Sequence, residues 1–110
     1  MTCKRGDIVL VPFPFSDLSA NKNRPVLALT DPDKFGDFLA VGVTSRSHHA
    51  LSIPITESVL ASGGLPLNSW VRIDRIITLN HRLVLKCFAQ ANQAFVRSVL
   101  DALCDRAKQT

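Results

Sequence analysis

No apolar run in this sequence approaches the roughly 18 to 20 residues needed to span a bilayer, and the opening residues MTCKRGD hold no apolar stretch of the signal-peptide type. A cytoplasmic location follows as the expectation. Cysteine is sparse: Cys3, Cys87 and Cys104 are odd in number and widely separated, with no CxxC and no clustered histidine beside them. That pattern argues against a disulfide framework and against a zinc or other metal site, and leaves reduced, structural thiols. Acidic residues are in deficit, 9 against 13 Lys plus Arg, for a formal net charge of +4. Such a field favours encounters with polyanions, whether nucleic acid or an acidic protein.

What is present is the composition of a packed domain. Hydrophobic residues make up 46% of the chain and charged residues 20%, unlike the polar, highly charged make-up of disordered chains. The length suits one domain over residues 1–110 with one hydrophobic core. Internal repeats, linkers and low-complexity tracts are absent.

The order of apolar and turn-forming residues points to short strands followed by one helix. Residues 8–15 form a branched apolar run whose Pro12 and Pro14 each remove a ladder donor, so the strand should end at an edge or bulge. Residues 16–23 gather turn formers and predict a surface loop. Strands are expected over 25–30 and 38–43 as antiparallel neighbours, with a turn at 31–37 and a break at 44–49. A short strand at 51–55 and a break at Ser62, Gly63 and Gly64 precede residues 70–74, whose alternation of apolar and charged side chains marks a half-buried strand. One more strand is expected over 82–88. Phe95, Val96, Val99, Leu100, Leu103 and Cys104 then recur at helical spacing, with Asn92 as N-cap and Arg106 and Lys108 complementing the C-terminal dipole. Without βαβ alternation, the fold class is mainly β: a small antiparallel barrel or curled sheet capped by a C-terminal α-helix.

Several residues could carry chemistry. Arg24 directly precedes Pro25, which holds its backbone extended, so its planar fork of donors leaves a fixed base and stays charged at physiological pH. It is either a phosphate contact or a solvated arginine. Thr44 and Ser45 close the strand over 38–43, where their hydroxyls either bond a phosphate oxygen beside Arg24 or cap a turn. Arg46, His48 and His49 extend this segment with positive or protonatable groups. Arg72 and Asp74, two apart on a strand, share one face. They form a surface ion pair or an acid and base pair facing a groove. Trp70 is expected mainly on the opposite, buried face, although it and any exposed phenylalanine among Phe13, Phe15 and Phe35 could stack on bases.

Taken together, RGDIVLVPFPF (residues 5–15), NRPVL (23–27), Val43, Thr44 and Ser45, and then Val71, Arg72, Ile73 and Asp74 resemble the MazF/PemK family of toxins in order and spacing. The resemblance runs from about Lys4 through the terminal helix. It implies an SH3-like barrel acting as a homodimer, a sequence-specific endoribonuclease that cuts single-stranded RNA and arrests growth unless an acidic, partly disordered antitoxin binds it. No metal or other cofactor is implied. The reaction implied is attack by the ribose 2′-hydroxyl on the adjacent phosphate. At matching positions, Arg24 and Thr44 take catalytic roles in one branch and Arg72 and Asp74 in another, while Lys22, Ser45, Arg46 and His48 fall where RNA contacts are expected. Physically, Arg24 suits stabilisation of charge on the phosphorane, and Asp74 suits acceptance of the 2′-hydroxyl proton if burial raises its pKa.

Departures from the family pattern also matter. The loop over 16–23 lacks the histidine some members use, and with tyrosine absent, base stacking must fall to Phe, Trp or His. The same barrel serves gyrase poisons, which cleave nothing, but that branch resembles a tail ending in an aromatic-glycine-aliphatic signature, whereas this sequence ends DRAKQT. A third alternative is a degenerate RNA-binding module that holds RNA without cutting it.

Overall fold

The computed structural model describes residues 2–14, 21–46 and 51–109, with the backbone alone for residues 13, 14 and 21. Among them lie seven strands: β1 (Asp7–Pro14), β2 (Asn21–Ala28), β3 (Asp37–Thr44), β4 (Ser52–Ile55), β5 (Leu60–Gly63), β6 (Ser69–Asn80) and β7 (Lys86–Ala91), followed by helix α1 (Gln93–Lys108). All pairings are antiparallel. They make one curled sheet in the order β4-β6-β3-β2-β1-β7-β5, so the mainly β fold with a terminal helix is as expected.

Alternation along the strands divides the core between the two faces of the sheet. Ile8, Leu27, Val41, Val43 and Val71 point to one face and pack beneath α1, whose Phe95, Val96, Val99 and Leu103 seal it. Val9, Val11, Val26, Ala28, Phe38 and Ala40 point to the other and meet Cys3 and Val84. Each fully buried branched or aromatic side chain here contributes about 1.5–3 kcal/mol. The helix starts where its sequence signal lies: the Asn92 side chain accepts a hydrogen bond from the Phe95 backbone N–H at 2.8 Å. Among the described residues no helix is long and apolar enough to cross a membrane.

Pro12 and Pro14 pair only with β2, because β7 leaves β1 at Leu10 after a register shift between Ile8 and Val9. Prolines therefore occupy the stretch of β1 that has a neighbour on one side.

Four local expectations need correction. Asn21, Lys22 and Asn23 belong to β2 rather than to the preceding loop, because β1 continues as far as Pro14 and pairs with them. Ser62 and Gly63 are strand residues, since β7 supplies a ladder for them. The strand expected over 82–88 starts only at Lys86: the Asn80 side chain accepts from the Arg82 N–H at 3.0 Å and turns His81–Leu83 into a 3-10 helix. Of the three free thiols only Cys3 is buried, while Cys87 and Cys104 are exposed and do not serve as core residues.

Candidate nucleic-acid interface

Arg24 lies within β2, directly across from buried Val11, while Val26 lies across from Val9 on one side and Gly42 on the other. Pleat parity puts Arg24 on the face of Val26 and Ala28, and puts Gly42 and Thr44 on the face of Ala40, which is the same one. Among the described residues the β2–β3 ladder ends at Val26 and Gly42. Beyond that point the apolar face becomes polar and exposed Arg24 begins a groove.

The opposite side of the groove depends on an irregularity in β6. Val41 pairs with Ile76 but Gly42 pairs with Arg72, so the register shifts there and Ile73, Asp74 and Arg75 are inserted between two consecutive pairs of the ladder. Ile73 instead donates its N–H to the Leu51 carbonyl at 3.0 Å. In a regular strand Arg72 and Arg75, three apart, would point to opposite faces. This bulge brings both to the groove. Arg75 lies over Gly42, where an added Cβ would stand 3.5 Å from the Arg75 Cβ and 3.9 Å from its Cδ. A larger side chain at that position would take Arg75's place.

Arg72 and Asp74 are joined as the sequence allows. Arg72 Nη2 is 2.6 Å from Asp74 Oδ2, and Arg72 Nε donates to Oδ1 at 3.0 Å. Their side chains are 20% and 25% exposed. A partly exposed surface pair of this kind contributes about 1 kcal/mol to stability, so its structural effect is to fix the direction of the guanidinium.

These elements enclose about 650 Å³. Five cationic side chains line the space, Lys22, Arg24, Arg46, Arg72 and Arg75, with Thr44 and Ser45 among them and no carboxylate among the described lining residues. Asp74 touches Arg72 without lining the groove. The Thr44 hydroxyl oxygen accepts a hydrogen bond from the Arg46 backbone N–H at 3.1 Å. It thus caps the turn and still has its own hydrogen to donate. Leu65, Pro66, Leu67 and Phe88 form the apolar wall. Like charges gathered in a concavity sum to a positive potential that attracts polyanions. Among the described residues no three His, Cys, Asp or Glu side chains gather where they could hold a metal ion.

The expected site residues Lys22, Arg24, Thr44, Ser45, Arg46 and Arg72 therefore share one concavity, whereas His48 and His49 lie outside the described residues, as does Phe15. Arg75 is the functional candidate that the sequence reading missed. Trp70 requires a correction: it is two residues from Arg72 and so shares that face, while its neighbour Val71 is the residue pointing into the core. It is half-buried. Phe35 is 71% exposed but lies outside the groove.

Comparison with known proteins gives a consistent result. A family model described as PemK-like, MazF-like toxin of type II toxin-antitoxin system matches residues 4–106. No curated protein matches the sequence. Solved structures share the fold at low identity. A MazE-MazF crystal structure from Deinococcus radiodurans superposes with a TM-score of 0.74 at 18% identity, covering 98% of this chain and 97% of that one. MazF from the same organism gives 0.72 at 21%, covering 98% of each chain. An endoribonuclease in complex with its cognate antitoxin from Mycobacterial species gives 0.71 at 19%, covering 99% and 98%.

Proposed function

The chain belongs to the PemK-like, MazF-like toxins of type II toxin-antitoxin systems, and from that premise we propose that it cuts single-stranded RNA at preferred sequences without a metal ion. The observation that carries this reading is the convergence of five cationic side chains and the Thr44 hydroxyl in one groove without a carboxylate among its described lining residues. Phosphate is the ligand such a groove selects, because guanidinium forks match its oxygens and the cations draw its charge.

In the reaction proposed, the ribose 2′ oxygen bonds to phosphorus as the bond to the 5′ oxygen breaks. The 2′-hydroxyl gives up its proton and the departing 5′ oxygen gains one, leaving a cyclic phosphate and a free 5′-hydroxyl. Negative charge grows on the nonbridging oxygens along the way. The Arg24 guanidinium stabilises that charge, and the Thr44 O–H donates to one of the same oxygens. Arg72 supplies a second guanidinium, directed by its grip on Asp74. For Asp74 to accept the 2′-hydroxyl proton, as its residue type allows, it would have to release that grip. Lys22, Ser45, Arg46 and His48 hold flanking phosphates.

The proposal extends to partners. An acidic antitoxin segment would fill the cationic groove and exclude RNA, ordering as it binds, and without it the toxin would arrest growth. A homodimer is the proposed active form. Leu39 and Ile76, 43% and 54% exposed, lie on one face of the β3–β6 pair and offer apolar surface for a second copy.

Incubation of the purified protein with long single-stranded RNA in chelator tests the reading. Discrete fragments with 5′-hydroxyl ends are expected, and Arg24→Ala should slow their formation by about 100-fold or more. RNA bound but never cut, across many sequences, would leave a binding module and remove the enzyme.

A further inference from the structure

Trp70, the single tryptophan of the chain, stands directly across the β3–β6 ladder from Thr44. Directly opposed residues on antiparallel strands have their Cβ atoms only about 4.5–5.5 Å apart, and pleat parity puts Trp70 on the same face as Arg72. Its other cross-strand neighbour is Pro54 of β4. The ring is half-buried, so part of it remains accessible.

Trp70 also lines a second concavity of about 760 Å³. Leu65, Pro66, Leu67 and Ser69 line both spaces and so form a common wall, with Leu67 64% exposed at its crest. Charge changes sign across this wall. Among the described residues the groove is lined by five cations, whereas the second space is lined by no Lys or Arg and by a single carboxylate, Glu57, together with the Asn68 amide and the Ser62 hydroxyl. Phosphate is drawn to the first and disfavoured in the second. A nucleobase, uncharged and flat, has the opposite preference: it needs an aromatic face and a few hydrogen-bonding groups at its edge.

Building on the RNA reading above, we infer that Trp70 is the stacking platform for a nucleobase next to the phosphate held by Arg24 and Thr44, with the neutral concavity as the base subsite. A nucleotide carries its base one sugar away from its phosphate, and the register places an aromatic beside the hydroxyl that meets the phosphate. Glu57 and Asn68 are positioned in the lining to read exocyclic amines and carbonyls of that base. Trp70 is thus a residue of binding and sequence preference, separate from the groups that stabilise the phosphorane.

As the only tryptophan, it reports its own occupancy. The wild-type protein is titrated with a fluorescein-labelled, mixed-sequence 2′-O-methyl RNA, which cannot be cleaved, while RNA anisotropy and tryptophan emission are followed in parallel. Emission is expected to be quenched along the anisotropy curve. An abasic backbone of the same length and poly-glutamate, a stand-in for an acidic peptide, should occupy the groove with little quenching. Trp70→Ala should weaken RNA binding about 10-fold and shift the distribution of cleavage sites, whereas Trp70→Phe should retain most of the affinity. If Trp70→Ala fails to fold, the wild-type titration decides alone. Anisotropy rising with unchanged emission, or equal quenching by the abasic backbone or poly-glutamate, would overturn the platform and leave RNA binding standing. No rise in anisotropy, in a protein that also cuts no RNA, would bring down both.

Discussion

The Arg72 guanidinium holds both oxygens of Asp74, at 2.6 Å through Nη2 and 3.0 Å through Nε. Two roles for the carboxylate, directing Arg72 or taking the 2′-hydroxyl proton, differ in size. A partly exposed surface ion pair is worth about 1 kcal/mol, so its loss costs about fivefold. Loss of a general base costs about 100-fold or more. Asp74→Asn is expected to lower kcat by about fivefold and to leave the pH dependence of cleavage unchanged. A larger drop that abolishes the acidic limb of the pH profile would make Asp74 the base.

Gly42 and Arg75 should behave as a unit. An alanine Cβ at position 42 would meet Arg75 Cβ at 3.5 Å, ordinary contact, so Gly42→Ala should keep the wild-type affinity. The branched side chain in Gly42→Val would displace the arginine and should reproduce the weaker RNA binding of Arg75→Ala. Losing one phosphate contact lowers the salt slope of single-strand binding by about 0.7. Affinities measured over a range of salt concentrations would reveal that change, and an unaltered slope in Arg75→Ala would remove Arg75 from the interface.

Adjacent glycines should diverge in stability. Gly63 has φ +73 and an added Cβ would fall on the Phe88 carbonyl oxygen and 2.7 Å from the Ala89 Cα, both backbone atoms of β7. Nothing lies within 4 Å of a Cβ at Gly64. Gly63→Ala is therefore expected to lose more than about 2 kcal/mol and Gly64→Ala almost nothing, as read from urea midpoints.

This contrast also explains what the sequence could and could not reveal. The helix was legible because its signals are local: Asn92 caps, and the apolar stripe from Phe95 to Leu103 recurs at helical spacing. Arg24, Thr44 and Arg72 were legible through motif and alternation. Gly63 reads as a break because its partner, β7, lies more than twenty residues downstream in the chain. Arg75 was hidden for a related reason: its direction depends on a bulge against Gly42, a residue on another strand. Asn80 likewise sets the start of β7 by capping a turn, which apolar alternation over 82–88 does not betray.

Cys3 gives the protein a calculable alkaline weakness. The residue is 8% exposed, and burial first, then the Asp7 carboxylate, push the thiol pKa from the ordinary 9.0 up to about 11. The neutral thiol is the form the fold accepts. Between about pH 9 and pH 11 the unfolded chain has lost this proton while the folded chain keeps it, so the unfolded state binds fewer protons and stability falls as pH rises. The contribution is fully present below about pH 9 and is lost through about pH 11. Denaturant unfolding at either end of this window should show a decline in the wild type that is shallower in Cys3→Ala, whatever that variant's stability at neutral pH. Cys87, exposed as a residue but with its thiol partly desolvated, is raised in the same direction by that desolvation and then by Asp7, and leaves a residual slope in the single variant that Cys3→Ala/Cys87→Ala should remove. Equal slopes in the wild type and both variants would mean that the thiolates are accommodated, and that the buried end of β1 is wetter than its packing indicates.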